Sequence, residues 1–435
     1  MINRYKVRKL LAPTAGLWVP TLVVVLGLVL FFSGLALSLQ ELLENGLRAF
    51  GDWGGRVLAN VVGEDRDVSA HLMGGGFLIL GFYLTFIGAK AGVRRIMDTL
   101  TPGRGQGLVN DFVRRQQLAH GPHIVALGGG TGLSTLLRGL KHHSSNITAI
   151  VTVTDDGGSS GKLIKDKGMI PPGDIRNCLV ALAEAEKAMT DLFQHRFKND
   201  SGTLSGHSMG NLLIAALADQ SRGDFEKAIE SASAVLAIRG KVIPSTLEHV
   251  RLRALLEGGL EICGETAIVE AGQKIRKVFL DPASVPPHPS ALEAISDADI
   301  ILIGPGSVFT SVIPNLLVPG IAEALKNSPA PKVYICNVMT QPGESDSFTA
   351  SEHITAVLNS VEMKIFDYVM INTATPSEAS VVSYREAGQH WVEPDVDRIR
   401  AMGLRVISGN FMSETDVVRH DAMRVAERVL KLVNR

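Results

Sequence analysis

A run of glycines directly after a short apolar segment carries the first chemistry in the chain. Residues 124–127 are apolar, leucines recur at helical spacing from position 133, and between them lie Gly128, Gly129, Gly130, Thr131 and Gly132. Glycine tolerates a positive φ and lets a ligand approach the backbone closely. The N–H groups at the start of a helix bind anions. The pattern therefore predicts a strand, a phosphate-binding turn and a helix.

The spacing of these residues excludes two common nucleotide motifs. The dinucleotide fingerprint G-x-G-x-x-G fails, because a reading from Gly128 places Leu133 where the last glycine belongs. A phosphate-loop reading that ends at Lys162 also fails, because Asp156 stands at the position of its first glycine and leucine follows the lysine. Neither a nicotinamide dinucleotide nor a phosphate-loop nucleotide is indicated.

A second polar loop follows the apolar residues 147–153. Its carboxylates could accept hydrogen bonds from sugar hydroxyls or hold Mg²⁺ on a diphosphate, and its glycines and serines supply donors. A polar loop that merely caps a helix is the alternative. The ligand-binding candidates here are Asp155, Asp156, Gly157, Gly158, Ser159 and Ser160.

Residues 171–177 predict the start of a helix. Asp174 falls near its first turn, Arg176 is able to reach a phosphate, and Asn177 completes the candidates of this block. Pro-Gly-Asp is also a common helix start without any ligand. Both interpretations stay open at this point.

Residues 206–210 match G-x-S-x-G, the nucleophile elbow of α/β-hydrolases. An elbow requires an apolar strand directly before it, whereas residues 197–204 form a polar stretch. We therefore disfavour an esterase and predict a helix N-terminus that presents His207, Ser208 and Asn211 to a ligand.

Two later apolar segments end in comparable loops. Residues 299–303 precede Gly304, Gly306 and Ser307, with Asn315 in the following helix, and residues 331–336 precede Asn337, Thr340 and Gln341. The carboxyl ends of parallel strands meet at one edge of a sheet, where ligands bind. The blocks are thus predicted to surround one ligand.

The elements that position these blocks alternate between strand and helix from residue 121 onward, which predicts an α/β domain with a mostly parallel sheet. Residues 250–262 instead alternate apolar and polar side chains around Gly258 and Gly259. That pattern predicts an antiparallel hairpin added to the parallel core.

Composition excludes several classes of protein. The net charge is −1, and the basic residues do not cluster with aromatic ones, so nucleic acid is not an expected partner. The three cysteines, Cys178, Cys263 and Cys336, are far apart, which argues against a zinc ribbon or a disulfide framework and suits a reducing compartment.

The N-terminal residues 1–97 predict a membrane hairpin with spans at about 17–38 and 72–90, followed by a linker over 98–120 and a domain over 121–435. Mean hydropathy is +0.19, and no charged residue occurs between Leu10 and Gln40. A signal peptide or buried core helices are the alternatives, but the first span is longer than a signal-peptide core and a second follows it. The chain is expected to be a multi-pass protein of the cell membrane.

In their order along the chain, the polar blocks resemble the gluconeogenesis factor (YvcK-like) family, whose superfamily includes the 2-phospho-L-lactate transferases. The resemblance runs from about His123 to the C-terminus and rests on residues 128–132, 155–161, 172–177, 206–211, 304–307 with 314–317, and 337–343. It implies a Rossmann-like three-layer α/β/α domain and a UDP-sugar ligand such as UDP-N-acetylglucosamine. It also adds two ligand-binding candidates, Tyr384 and Arg419.

The resemblance implies a regulator of cell shape, wall synthesis and carbon metabolism. The predicted membrane hairpin, which is not part of the family pattern, would tether it to the cytoplasmic face of the membrane, and we expect a homo-oligomer with a regulatory protein partner. The alternative is a transferase that moves a phosphate-linked acid from a nucleoside diphosphate to a deazaflavin hydroxyl, with Asp155, Asp156 or Asp174 as metal ligand or base. Apart from the UDP-sugar no cofactor is predicted. No metal-ligand set is singled out, although Mg²⁺ is compatible with these carboxylates.

Reporter fusions test the predicted membrane topology. Basic residues flank the outer ends of both spans, whereas residues 41–67 between them carry more acids than bases, so the positive-inside rule puts both termini in the cytoplasm. We expect a reporter fused to the C-terminus to report a cytoplasmic location. The same reporter inserted near residue 55 should report a location outside the cytoplasm. An external signal from the C-terminus would contradict this topology.

Overall fold

The computed structural model describes residues 108–184, 187–198, 202–414 and 417–433, with single helical residues at 46, 48, 49, 52, 53, 56 and 87. The chain divides into two units, Met1–Gln117 and Leu118–Arg435. Apart from Ile87, both predicted membrane spans lie outside the described residues, as do residues 98–107 of the predicted linker. The remainder of that linker contains helix α1 (Leu108–Ala119).

Among the described residues, no single helix is long and apolar enough to cross a membrane. Val308–Leu317 and Ile321–Asn327 together have the length and composition of a span, but they form a pair bent by 80°. Within this pair Ile313, Ile321 and Leu325 are fully buried.

Seven parallel strands form the main sheet of the second unit, in the order β10-β9-β8-β7-β1-β2-β3. The strands are β1 (Ile124–Gly128), β2 (Ile147–Val151), β3 (Lys241–Pro244), β7 (Ile300–Ile303), β8 (Lys332–Ile335), β9 (Tyr368–Asn372) and β10 (Arg405–Gly409). Every residue of β1, β7 and β8 is buried. Continuous apolar runs of this kind are typical of parallel strands covered on both faces. The predicted mostly parallel sheet is confirmed.

Strand β1 lies at the point where the direction of the chain across the sheet reverses. Its residue Ile124 pairs with Ile147 of β2 on one side and with Ile300 of β7 on the other. The chain proceeds outward from β1 to β3 and, on the other side, from β7 to β10. Since such crossovers are right-handed, the helices of the two halves cover opposite faces of the sheet. This is the doubly wound, Rossmann-like arrangement, and a crevice opens where the two halves diverge.

The helices have the following bounds. Between β1 and β3 lie α2 (Gly130–Leu140), α3 (Gly158–Lys167), α4 (Gly173–Leu182), α5 (Lys187–Gln194), α6 (Met209–Gln220) and α7 (Phe225–Leu236). Around the second half of the sheet lie α9 (Pro289–Ser296), a π-helical turn (Val308–Val312), α10 (Ile313–Leu317), α11 (Ile321–Asn327), α12 (Ala350–Val361), α13 (Glu378–Glu386) and α14 (Val396–Ala401).

A second, antiparallel sheet is inserted between β3 and β7. It consists of β4 (Arg251–Leu256) flanked by β5 (Glu261–Cys263) and β6 (Ile275–Asp281), and α8 (Glu265–Glu270) connects β5 to β6. In β4 the side chains of Leu252 and Ala254 are fully buried and alternate with arginines. This alternation fixes which face of the strand packs inward. The predicted antiparallel hairpin is confirmed, with β6 as a third strand.

The C-terminal segment packs against helix α2. It contains the short strands β11 (Met412–Ser413) and β12 (Arg419–His420), followed by α15 (Ala422–Leu430). An added β-carbon at Gly139 of α2 would overlap the carbonyl of Ala422. This backbone contact fixes the first residue of α15, which directly follows β12, to the helix that starts at the glycine turn.

We predict that Gly139→Ala destabilises the protein more than Gly403→Ala does. A β-carbon at Gly403 meets nothing within 4 Å, so that variant is penalised only for its φ of +75°, about 1 kcal/mol. At Gly139 the new methyl must displace a helix backbone, and overpacking of this kind costs about 1–3 kcal/mol in addition to lost contacts. Chemical denaturation of both variants measures the difference. An equal loss in the free energy of unfolding for both variants would show that α2 and α15 can move apart at little cost.

Candidate functional site

A cavity of about 860 Å³ opens at the carboxyl edge of the main sheet, where β1 and β7 diverge. Residues of loops that are far apart in sequence line it together. The sequence-predicted residues among them are Gly129, Gly130, Thr131, Gly132, Asp155, Asp174, Asn177, Gly306, Ser307, Asn337, Thr340, Gln341, Tyr384 and Arg419. The polar blocks of the sequence therefore do converge on one space.

The glycines of the first turn have different surroundings. An added β-carbon at Gly129 would lie 2.5 Å from a carboxylate oxygen of Asp174, and one at Gly132 would lie 2.5 Å from the carbonyl of Pro305. Gly130 has a φ of +61°, and its β-carbon would meet only the Ser311 hydroxyl, at 3.6 Å. Close contacts within the protein thus require glycine at positions 129 and 132. Gly130 differs, because its backbone is left-handed and the space beside it is open.

Helix α2 begins at this turn, and its first three residues, Gly130 to Gly132, line the cavity. Its N-cap is Gly129, which has no side chain to cap the first turn, and no acidic residue occurs within that turn. The N–H of Gly130 binds the Asp174 carboxylate. An uncapped helix start of this kind binds anions through its N–H groups and its dipole.

The two aspartates after β2 have separate roles. Asp155 lines the cavity and accepts a hydrogen bond from the Gly157 N–H at 3.0 Å. Asp156 instead accepts from the backbone N–H and the hydroxyl of Thr266, at 2.9 and 2.8 Å. Asp156 therefore holds the start of α8 and does not line the cavity.

A layer of polar side chains lies behind the cavity wall. The Ser159 hydroxyl is 3.1 Å from Nδ1 of His207 and accepts from the Asn211 amide at 3.1 Å. Nη1 of Arg176 donates to the Ser208 hydroxyl at 2.5 Å. These side chains hold one another rather than lining the cavity.

Ser208 is the residue that the hydrolase motif would make a nucleophile. Its hydroxyl caps α6 by accepting from the Asn211 N–H at 3.3 Å, and the residue is fully buried. As predicted, the motif forms a helix start and not an elbow after a strand. A buried, hydrogen-bonded capping hydroxyl is not placed for acyl transfer.

The remaining predicted residues outside the cavity lining support its loops. Asn315 is buried, and its amide donates to the Gly128 carbonyl at 3.0 Å and to the Ser311 carbonyl at 2.8 Å. It thereby ties α10 to the end of β1. The other predicted residues that do not line the cavity are Gly128, Gly157, Gly158, Ser160 and Gly304.

The loops after β7 and β8 are joined by a reciprocal pair of hydrogen bonds. The Gly306 N–H donates to the Asn337 side chain at 3.1 Å, and the Asn337 amide donates to the Gly306 carbonyl at 2.8 Å. Both residues line the cavity. The wall on this side is therefore fixed before any ligand binds.

Tyr384 of α13 joins the far wall of the cavity to the C-terminal segment. Its hydroxyl accepts from the Val418 N–H at 2.7 Å, and Arg419 continues the same wall.

The sequence did not predict several of the residues that line the cavity. They are Thr135, Glu265, Pro305, Ser311, Val338, Met339, Ser383, Ala387, Gln389, Val417, Val418 and His420. Glu265 and His420 belong to no motif, and only long-range packing brings them here.

Buried carboxyl groups give the polar end of the cavity unusual proton affinities. Burial, and then the charge of Asp155, raise the pKa of Asp174 to about 7 against the opposing effects of the Gly130 N–H and Arg176. Burial, then Asp155 and Asp174, raise the pKa of Glu265 to about 9. Burial raises the pKa of Glu344, behind Ser307, to about 7. In the described residues no group of three or more His, Cys, Asp or Glu has metal-site geometry.

The fold and the site together define a Rossmann-like protein with a polar cavity at the topological switch point of its sheet. Comparison with known proteins identifies the family within this class of Rossmann-like proteins. Residues 124–412 match the family described as 2-phospho-L-lactate transferase CofD. The gluconeogenesis factor of Bacillus subtilis strain 168 is 47% identical over 313 residues, which cover 72% of this chain and 98% of that protein. The chain belongs to the gluconeogenesis factor branch of the CofD family.

A solved structure and a longer relative extend the comparison. A UPF0052-family protein of Bacillus halodurans superposes with a TM-score of 0.69 at 48% identity, covering 71% of this chain and 99% of that one. A homologue from Nostoc sp. strain PCC 7120 is 46% identical over 383 residues, which cover 87% of this chain and 84% of that protein. The Nostoc match is longer than Leu118–Arg435, so it extends into the N-terminal segment.

We predict that Asp174→Asn reduces the loss of stability that accompanies a rise in pH from acidic to neutral values. The folded state keeps the Asp174 proton up to about pH 7, whereas the unfolded chain releases it near 3.8. The contribution of Asp174 to the free energy of unfolding is therefore fully present below about pH 4 and is lost as the pH rises through about 7. Thermal melting at pH 5 and pH 8 should show a smaller drop for Asp174→Asn than for the wild type, by several degrees.

Asp297→Asn is the matched control, because Asp297 is exposed at the end of α9. It should melt like the wild type at both pH values. Parallel curves for Asp174→Asn and the wild type would show that this carboxyl group does not bind its proton more tightly in the folded state.

Proposed function

We propose that the unit beginning at Leu118 binds a UDP-sugar, such as UDP-N-acetylglucosamine, and acts as a regulatory sensor in gluconeogenic carbon metabolism, cell shape and cell-wall synthesis. The observation that carries the proposal is the uncapped start of α2 at the switch point, with Gly130 facing open space. A diphosphate bound there would accept hydrogen bonds from the helix N–H groups. The relatives named as gluconeogenesis factors support the regulatory role.

The dimensions and chemistry of the cavity suit such a ligand. A volume of about 860 Å³ lies within the usual range for small-molecule sites. Beside the glycine turn, Asp155 and Asn177 supply an acceptor and an amide for sugar hydroxyls. Asp155 and Asp174 are also suitable oxygen ligands for a Mg²⁺ ion that accompanies the diphosphate.

A transferase of the phospholactate type is the second candidate, and the raised pKa of Asp174 favours it. In that reaction a deazaflavin hydroxyl oxygen attacks the phosphorus bearing the acid, the bond to the nucleotide phosphate breaks, and a nucleoside monophosphate leaves. A carboxylate takes the hydroxyl proton. A general base works best with a pKa near the operating pH, which Asp174 has at about 7. Asp156 is engaged by Thr266 and is the weaker candidate.

The cellular setting is proposed from the sequence. Two N-terminal membrane spans would tether the unit to the cytoplasmic face of the cell membrane, where precursors of the cell wall are assembled. A sensor there would act through a regulatory protein partner and as a homo-oligomer. The extension of the Nostoc match into the N-terminal segment supports a retained role for that segment.

We predict that Gly130→Ala weakens binding of UDP-N-acetylglucosamine at least tenfold. The added methyl projects into space that the ligand's phosphates would occupy and strains the left-handed backbone of the turn. Isothermal titration calorimetry measures the affinity. Gly168→Ala is the control, because Gly168 has a φ of +60°, has nothing within 4 Å, and ends α3 away from the cavity.

The same preparations distinguish the two candidate functions. Binding of UDP-N-acetylglucosamine by the wild type and Gly168→Ala, without turnover of a deazaflavin acceptor, supports the sensor. Turnover that Asp174→Asn abolishes supports the transferase. The sensor proposal is contradicted if no UDP-sugar binds to the wild type.

A further inference from the structure

The lining of the cavity has two chemically different parts. Glycines and carboxyl groups surround the start of α2. The apolar part consists of Val338, Met339 and Val418, which belong to a small apolar cluster separate from the main core, with Tyr384 packed against it. Apolar and aromatic side chains of this kind hold the flat face of a nucleobase. A nucleotide with its phosphates at α2 would therefore place its base among these side chains.

His420 is a buried polar side chain next to this apolar part of the lining. It is 8% exposed, lines the cavity, and pairs through β12 with Met412 of the same apolar cluster. Burial lowers the pKa of His420 to about 4. Its imidazole is therefore neutral near pH 7 and carries one N–H donor and one acceptor nitrogen.

A hydrogen bond to the backbone of Cys336 determines which nitrogen of His420 remains for a ligand, and whether that nitrogen donates or accepts. It forms a hydrogen bond with His420 that raises the pKa of the imidazole, so the bond favours the protonated ring. Its partner is thus the Cys336 carbonyl, to which a ring N–H donates. We assign the tautomer from this bond. The second ring nitrogen has no proton and can only accept.

We propose that His420 recognises the imide N–H of a uracil base and so makes the cavity selective for uridine over cytidine nucleotides. In uracil the N3 position is a donor, whereas in cytosine N3 is an acceptor and would face the acceptor nitrogen of His420. A site that hydrogen-bonds a particular N–H strongly rejects a ligand that lacks it, because the buried protein group is then left unpaired. This inference rests on the proposed binding of a uridine nucleotide.

Calorimetry of the full-length protein with UDP, CDP and N3-methyl-UDP tests the assignment. The wild type should bind UDP at least tenfold more tightly than either of the other two. His420→Phe keeps a planar ring without the acceptor, so it should bind UDP about tenfold more weakly and all three nucleotides within about threefold of one another. The control His390→Phe makes the same change at an exposed residue beside Thr340, and it should behave as the wild type.

The outcomes separate this inference from the function on which it rests. Equal affinity of the wild type for UDP and N3-methyl-UDP overturns the role of His420, and this arm needs no variant. A folded His420→Phe protein, checked by thermal melting, that retains the preference for UDP over CDP overturns it as well, while uridine nucleotide binding itself stands. No binding of UDP or UDP-N-acetylglucosamine by the wild type overturns both.

Discussion

The candidate site depends on how closely the loops at the carboxyl edge of the sheet approach one another. Side chains at Gly129 and Gly132 would collide with Asp174 and with the Pro305 backbone, and one at Gly173 would collide with another carboxylate. The loops can therefore meet only where no β-carbon intervenes. This close approach buries acidic groups against a helix start and leaves Gly130 as the glycine that faces open space. The glycine-rich sequence thus reflects contact within the protein as much as contact with a ligand.

The same crowding produces an electrostatic conflict that a ligand must resolve. The start of α2 attracts anions, yet its Gly130 N–H already binds Asp174. The charge of Asp155 raises the pKa of Asp174, and the charges of both aspartates raise that of Glu265. Phosphates can enter beside these groups only if protons or a divalent cation offset the negative charge. The acids would then tune how strongly an anionic ligand binds, whether the protein senses it or transforms it.

Local sequence was sufficient for the strands and loops but not for the partners of individual side chains. The apolar runs that end in glycine predicted the parallel strands, because burial on both faces and a tight turn leave a local signature. Nothing local shows that Asp156 holds Thr266, or that Ser208 lies behind the wall with Arg176. Glu265 and His420 escaped prediction because their positions depend on the antiparallel insertion and on the C-terminal segment. Both are contacts between residues far apart in sequence.

The C-terminal segment contributes something that the strand-end loops lack. The loops after β1, β2, β7 and β8 supply glycines, carboxylates and amides, a set suited to phosphates and sugar hydroxyls. The segment from Val417 to His420 supplies apolar surface and a neutral imidazole, and its position is fixed by the backbone contact between Gly139 and Ala422. In the proposed function, the carboxyl edge of the Rossmann-like sheet would therefore provide the general site for a diphosphate, while the chain added after the last strand would determine which nucleotide occupies it.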